Sequence, residues 1–130
     1  MRLMVGQNIR SELENQKYLI SRLVADIIRG SLGPKGNYKI IKDLNNVLHF
    51  TIKGGTIFRR LKPITEHPLA QTLMDSAIRI DKEVGDGSKT LTILVGEILN
   101  RKKELSIHPT TFIDGCYVAL EKCLQIMDKM

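Results

Sequence analysis

Apolar residues recur every three or four positions in four stretches of this 130-residue chain, and this spacing constrains its fold more than any other feature. The four stretches are residues 11–29, 67–84, 88–105 and 108–130. In the first of them the apolar positions are Leu13, Ile20, Leu23, Val24, Ile27 and Ile28. Such spacing lines one face of a helix with side chains that must be covered. We therefore predict four long helices.

Proline and glycine mark where these helices begin and end. Gly30 suits the C-terminal cap of the first helix, and the Gly-Pro pair at 33–34 prevents its continuation. His67-Pro68 and His108-Pro109 open two helices alike, with proline in the first turn, where its missing N–H costs nothing. We interpret both histidines as caps or loop residues rather than metal ligands.

Between the first two helices lie two short β-prone runs, residues 38–42 and 47–52, separated by a polar turn at 43–46. They predict a hairpin, in which His49 is a cross-strand packing residue. A short helix is expected at 56–61. Because a lone hairpin is marginally stable, it needs another strand or a helix to cover it. The predicted fold class is mainly α, with four long helices and one hairpin.

Charge and hydropathy narrow the classes of function. The formal net charge is +6, and residues 1–62 carry 12 Lys and Arg against 4 Asp and Glu. This favours a nucleic-acid hypothesis, but the cations are dispersed and aromatic residues make up only 5% of the chain, so nucleic acid is an unlikely partner. No apolar run reaches 18 residues, so neither a membrane span nor a membrane partner is expected.

Cys116 and Cys123 lie seven positions apart in a helical pattern, about 10 Å along the helix axis, too far to bridge. They are expected to be reduced thiols, which favours a cytoplasmic location.

Two glycine-containing loops carry the candidate chemistry. Residues 31–36 (Ser-Leu-Gly-Pro-Lys-Gly) follow a helix, and residues 85–90 (Gly-Asp-Gly-Ser-Lys-Thr) precede one. Glycine lets a backbone approach a phosphate closely, and a helix N-terminus offers free N–H groups. Residues 85–90 are not a Walker A loop, because Ser88 separates glycine from lysine. Taken singly, each loop is more simply a plain turn.

Together with other motifs, the loops occur in a characteristic order. One series of motifs runs along the chain. It consists of Leu-Gly-Pro-Lys-Gly, a hairpin ending at Gly54, Glu-His-Pro at 66–68, Asp-Lys-Glu-Val-Gly-Asp-Gly at 81–87 and Ile-His-Pro-Thr at 107–110. This series resembles the group II chaperonins, the archaeal thermosome and the eukaryotic cytosolic chaperonin, from residue 7 to residue 130. Among eukaryotic subunits, residues 31–36 and 119–130 look most like the delta subunit.

The resemblance implies that residues 1–130 are the first half of an equatorial, nucleotide-binding domain, without intermediate and apical domains, and that ATP and Mg²⁺ are the cofactors. Asp86 would bind the metal. The implied nucleotide-binding residues are Leu32, Gly33, Pro34, Gly54, Gly87, Ser88, Lys89 and Thr90. This assignment requires the two loops to meet in space.

The chain departs from the family pattern in ways that bear on catalysis. Lys89 replaces a threonine, and it can either meet a phosphate or face solvent. Lys53 stands where the family has an aspartate that supports the site, so it can strengthen anion binding or mark a site that has drifted. Phosphoryl transfer needs groups from several segments, so we expect no hydrolysis by this chain alone and assign no catalytic residue.

Two functions remain after the nucleic-acid hypothesis is set aside. The first is an ATP-Mg-binding chaperonin-family protein associated with ATP-dependent folding, whose partners are neighbouring ring subunits or unfolded protein. The alternative is a non-catalytic interaction module that docks onto a chaperonin ring or another partner through its hairpin and exposed apolar helix faces.

Overall fold

The computed structural model describes the backbone of residues 2–105 and 107–130 and the side chains of residues 12–105 and 107–130. A 3-10 turn, Lys62–Ile64, follows the second helix. The helices and strands are α1 (Arg2–Arg29), β1 (Lys39–Lys42), β2 (Leu48–Thr51), α2 (Gly54–Leu61), α3 (Pro68–Glu83), α4 (Ser88–Leu105) and α5 (Pro109–Met127). The prediction of a mainly helical fold with four long helices and one hairpin is confirmed.

The largest difference from the sequence-based prediction lies at the start of α1. We predicted a beginning near Ser11, whereas the helix begins at Arg2. Residues 2–10 contain no proline and only one glycine, Gly6, so nothing in their sequence ends a helix that already runs through residue 11. The short helix α2 likewise begins at Gly54 rather than at residue 56.

Histidine caps both helices that open with proline. The Nδ1 atom of His67 accepts a hydrogen bond from the amide of Leu69 at 3.2 Å, and the Nδ1 atom of His108 accepts one from the amide of Thr110 at 3.3 Å. Because the first amides of a helix lack partners within it, each ring satisfies one of them. The prediction that these histidines act as caps is confirmed.

The described residues form two compact units, 1–100 and 101–130. The first unit holds an apolar core in which Phe58 and Ile28 are fully buried. The residues of this core come from α1, β1, α2 and α3, and they are Val24, Ile28, Ile41, Ile57, Phe58, Ala70, Met74, Ala77 and Ile78. In this unit α2 contacts both α3 and β1, and the first two residues of α2, Gly54 and Gly55, are buried.

The hairpin is covered on one face and open on the other. Its strands pair antiparallel, with Ile41 opposite His49 and Ile40 opposite Phe50. Ile41 enters the core beside α2, while Ile40 and Phe50 are 63% and 65% exposed. The expectation that a helix covers the hairpin is confirmed.

His49 has a polar partner that the sequence analysis did not foresee. Its Nε2 atom lies 2.8 Å from Oδ2 of Asp43, in the turn that joins the strands. Oδ1 of the same carboxylate accepts hydrogen bonds from the amides of Asn45 and Val47. The hydrogen bond from His49, followed by that from Val47, lowers the pKa of Asp43 below its ordinary value. Asp43 therefore organises the turn.

The second unit consists of the end of α4 and the whole of α5. None of the α5 residues is buried, although its sequence is rich in apolar side chains. Both of its thiols, Cys116 and Cys123, are exposed and free.

Candidate functional site

The N-termini of α2 and α4 meet in the first unit. A Cβ atom built on Gly54, the first residue of α2, would lie 2.6 Å from Oγ of Ser88 and 2.6 Å from Cγ of Lys89. These separations are shorter than real Cβ contacts, so only glycine fits here without movement of the Ser88 and Lys89 side chains. The first residues of both helices, whose amides have no partners inside the helices, therefore lie next to each other.

A cleft of about 490 Å³ opens beside this junction. Its walls come from the residues before and within α2, the end of α3 and the second glycine loop. The lining residues are Ile52, Lys53, Gly54, Thr56, Arg59, Asp81, Gly85, Asp86, Ser88 and Lys89.

Lys89 connects the two glycine loops. Its Nζ donates a 2.7 Å hydrogen bond to the backbone carbonyl of Ser31, the first residue of the first loop. Ser31 is fully buried, and its Oγ donates a hydrogen bond to the carbonyl of Ile28 at 2.7 Å. The two loops are therefore joined by a direct contact, as the proposed site requires. Neither alternative considered for Lys89, a phosphate contact or a solvent-facing side chain, included this bond.

The second loop has a backbone that requires glycine on both sides of Asp86. Gly85 and Gly87 both have φ of 85°, a conformation that other residues rarely adopt. Between them, Oδ1 of Asp86 accepts a 2.6 Å hydrogen bond from the amide of Gly87. Asp86 is exposed and lines the cleft, so its carboxylate is accessible to a ligand.

Some charged side chains of the cleft form ion pairs, and others do not. Arg59 donates from Nη2 to Oδ2 of Asp81 at 2.9 Å. The Asp81 side chain is only 18% exposed, and it packs so tightly on Gly55 that a Cβ there would lie 2.2 Å from Cγ of Asp81. By contrast, Lys53 and Asp86 form no ion pair with any residue whose side chain the structure describes. The unpaired charges at the cleft are thus those of Lys53, Lys89 and Asp86.

This arrangement suits a phosphate-bearing anion. Helix N-termini and lysine side chains favour negative charge. Asp86 offers a hard oxygen ligand for Mg²⁺. Within the described residues there is no group of three metal-ligating side chains, so oxygens of a bound phosphate or water would have to supply the other ligands. The residues present therefore fit a metal that arrives with a nucleotide.

The structure brings together some of the predicted site residues. Gly54, Asp86, Ser88 and Lys89 line the cleft. The other predicted residues lie in the same two loops or just inside α4 but do not line it, and their roles remain predictions: Leu32, Gly33, Pro34, Gly87 and Thr90.

Arg59 and Asp81 are lining residues that sequence analysis did not assign to the site. Asp81 stands at the head of the 81–87 motif, and Arg59 is followed directly by a second arginine, Arg60. Their pairing depends on the packing of α2 against α3, which no local pattern specifies.

The fold and the cleft define a helical protein unit in which two helix N-termini meet beside a cleft lined by lysine side chains. Residues 24–130 match the profile of the TCP-1/cpn60 chaperonin family, and this chain belongs to that family.

The relatives include archaeal thermosome subunits, which supports the predicted group II affiliation. Thermosome subunit beta of Archaeoglobus fulgidus is 33% identical over 127 residues, which are 95% of this chain and 23% of the relative. Thermosome subunit beta of Desulfurococcus mucosus is 38% identical over 115 residues, 86% of this chain and 22% of the relative. Thermosome subunit alpha of Sulfolobus acidocaldarius is 36% identical over 124 residues, 93% of this chain and 22% of the relative. The chain thus spans between a fifth and a quarter of the length of these relatives.

None of the helices within the described ranges has the length and hydropathy that a membrane span requires.

Proposed function

We propose that this chain forms part of the equatorial domain of a chaperonin subunit and binds ATP with Mg²⁺ in the cleft between α2 and α4. The observation that carries the proposal is the convergence of the two helix N-termini at Gly54 and Ser88, beside the unpaired carboxylate of Asp86. Through this site the chain would take part in ATP-dependent protein folding.

The division of roles follows from the contacts. The amides at the start of α2 and α4 and the hydroxyl of Ser88 would donate hydrogen bonds to phosphate oxygens. Asp86 would hold Mg²⁺ against the same phosphates. Lys89 would keep the first loop, with Leu32, Gly33 and Pro34, close enough to contact the rest of the nucleotide.

Hydrolysis is not expected from this chain alone. The cleft has two carboxylates, and one of them, Asp81, is occupied by Arg59. Asp86 is assigned to the metal, and position 53 carries a lysine rather than a carboxylate. No free carboxylate in the cleft is then left to activate a water molecule.

Thermal melting with and without ATP and Mg²⁺ tests the proposal. Ligand at 100 times its Kd stabilises a folded protein by about 2.7 kcal/mol, which is a measurable increase in Tm. Asp86→Ala should remove the additional stabilisation that Mg²⁺ gives, whereas Asp114→Ala, at an exposed position on α5, should not. Absence of any increase in the wild-type chain would refute ATP binding. An unchanged Mg²⁺ dependence in Asp86→Ala would refute the metal assignment.

Association with other chaperonin subunits is part of the same proposal, because the relatives are named as subunits of the thermosome. The outward face of the hairpin supports it, since Tyr38, Ile40 and Phe50 are largely exposed there. Capture experiments should recover chaperonin subunits, and Phe50→Lys should reduce the yield without changing the Tm of the free chain. Likeness to the delta subunit and a cytoplasmic location remain predictions.

A further inference from the structure

The cleft carries a positive charge that does not depend on a metal ion. Of its three cationic side chains, Arg59 is neutralised by Asp81. Lys89 directs its ammonium group to the carbonyl of Ser31, an uncharged partner, so its charge is not cancelled. Lys53 is exposed and forms no ion pair with any residue whose side chain the structure describes. Against these two lysines stands one unpaired carboxylate, Asp86.

The helix N-termini add to this balance. Each N-terminus is equivalent to about half a positive charge, and two of them meet at Gly54 and Ser88. Together with the side chains, they leave the cleft with a net charge of about +2 in the absence of metal. An aspartate at position 53 would instead bring the sum close to zero, so the residue at position 53 decides whether the cleft carries a net positive charge.

A buried hydroxyl group gives independent support for a ligand at this place. Ser88 is only 4% exposed, yet its Oγ forms no hydrogen bond with any described residue and lies on the wall of the cleft opposite Gly54. Among the described residues, every side-chain nitrogen or oxygen that is shielded from solvent has a hydrogen-bond partner. The Oγ of Ser88 has none, so solvent must reach it, and Ser88 lines the cleft. A hydroxyl in this position can donate to an oxygen of an entering anion.

We infer that Lys53 replaces part of the charge of the divalent cation, so that this cleft binds a nucleoside triphosphate or an inorganic polyphosphate without requiring Mg²⁺. The inference rests on the proposed function and goes beyond it, because it assigns the site a metal-independent mode of binding. Mg²⁺ at Asp86 would then strengthen binding without being essential to it.

Isothermal titration with ATP and with inorganic tripolyphosphate, each in EDTA and in excess Mg²⁺, tests the inference. In EDTA the wild-type chain should bind both compounds, with affinities within about tenfold of those in Mg²⁺. Lys53→Gln should weaken binding in EDTA by about tenfold or more, because one unit of charge is lost close to the phosphates. Its effect in Mg²⁺ should be smaller, since the metal supplies charge there.

Matched variants separate the charge at position 53 from general effects. Lys17→Gln makes the same change at an exposed position of α1, away from the cleft, and should leave the affinities for both compounds unchanged. Lys53→Arg keeps the charge and should retain binding in EDTA. The Tm of each free variant shows whether it folds.

The outcomes distinguish this inference from the proposed function. Binding by the wild-type chain in Mg²⁺ but not in EDTA would overturn the inference and leave the proposed function intact. Equal binding by Lys53→Gln and wild type in EDTA would also overturn it, since the charge would then come from elsewhere. Absence of binding under both conditions would overturn the proposed function as well.

Discussion

Lys89 and Ser31 stand 58 residues apart in the sequence, yet one hydrogen bond joins them. The acceptor is a carbonyl of a fully buried residue, and the donor is a charged ammonium group. Hydrogen bonds of this kind contribute more to stability than neutral ones do. The bond therefore fixes the separation of the two loops before any ligand enters.

Replacement of this lysine should loosen the first unit. Lys89→Met keeps most of the aliphatic stem and removes the donor, so the free energy of unfolding should fall by about 1–3 kcal/mol in urea titration. Lys35→Met alters an exposed lysine of the first loop and should change it by less than about 0.5 kcal/mol. Equal effects of the two substitutions would show that the bond to Ser31 does not stabilise the protein.

The contact between α2 and α4 gives a second prediction at the scale of single residues. Gly54→Ala places a methyl group 2.6 Å from Oγ of Ser88 and Cγ of Lys89, so these side chains or the helix that carries them must shift, and the free energy of unfolding should fall by about 1–3 kcal/mol. Gly30→Ala is the matched control, because its Cβ meets only the flexible end of Lys39 at 3.4 Å. Urea titration of both variants checks this, and a Gly54→Ala variant as stable as wild type would contradict the observed packing.

At the scale of elements, the hairpin turn depends on one carboxylate. Asp43 accepts hydrogen bonds from two backbone amides and contacts His49, and Arg59 and Arg60 of α2 lie beside the same turn. Asn46 completes the turn with φ of 62°, a conformation that asparagine tolerates better than most residues do. The turn is thus held by polar contacts rather than by apolar packing.

The stability of the hairpin should depend on pH because of the Asp43 carboxylate. Its pKa in the folded protein is below the ordinary value of 3.8, so the ionised form stabilises the fold. That contribution is complete above about pH 4 and is lost as pH falls through the lowered pKa. The protection factors of the hairpin amides, measured by hydrogen exchange, should therefore fall below pH 4, and Asp43→Asn should remove this fall. Asp114→Asn, on α5, should leave it unchanged.

Local chemistry explains which elements could be predicted from the sequence. The prolines at 68 and 109 and the glycines at 85 and 87 act within their own turns, so α3, α4 and α5 begin at or within one residue of the predicted positions. The start of α1 was missed because residues 2–10 lack a signal of this kind. The partner of His49 was missed because it depends on how the turn closes.

The candidate site was only partly predictable for the same reason. Asp86 and Ser88 belong to a single motif that the sequence displays. The bond from Lys89 to Ser31 and the pairing of Arg59 with Asp81 join residues that are distant in sequence, and they arise only once the helices have packed. Nothing in the local sequence around Lys89 specifies that it contacts a carbonyl rather than a phosphate or solvent.

At the scale of the whole molecule, α5 exposes an unusual amount of apolar surface. Five of its side chains follow one another at alternating spacings of four and three, and each is at least half exposed: Ile113, Tyr117, Leu120, Leu124 and Met127. This spacing places them along one side of the helix. A continuous apolar surface of this kind favours association with another surface.

The isolated chain should therefore self-associate as its concentration rises. Leu120→Glu places a charge within the apolar side of α5 and should weaken association by about tenfold or more, as measured by sedimentation velocity, because burying a leucine contributes about 1.5–3 kcal/mol. Gln125→Glu adds the same charge at an exposed polar position of α5 and should have little effect. If both variants associate like the wild-type chain, the apolar side of α5 is not the surface responsible.

The crowding around Gly54 affects how variation in this chain should be interpreted. Because a methyl group at this position crowds the Ser88 and Lys89 side chains whether or not a ligand is present, substitutions at Gly54 lower the stability of the fold independently of any effect on binding. A survey of tolerated substitutions would therefore find glycine retained at this position even in a descendant that no longer binds nucleotide. Position 53, whose side chain is exposed, is free to change with function and is the more informative of the two.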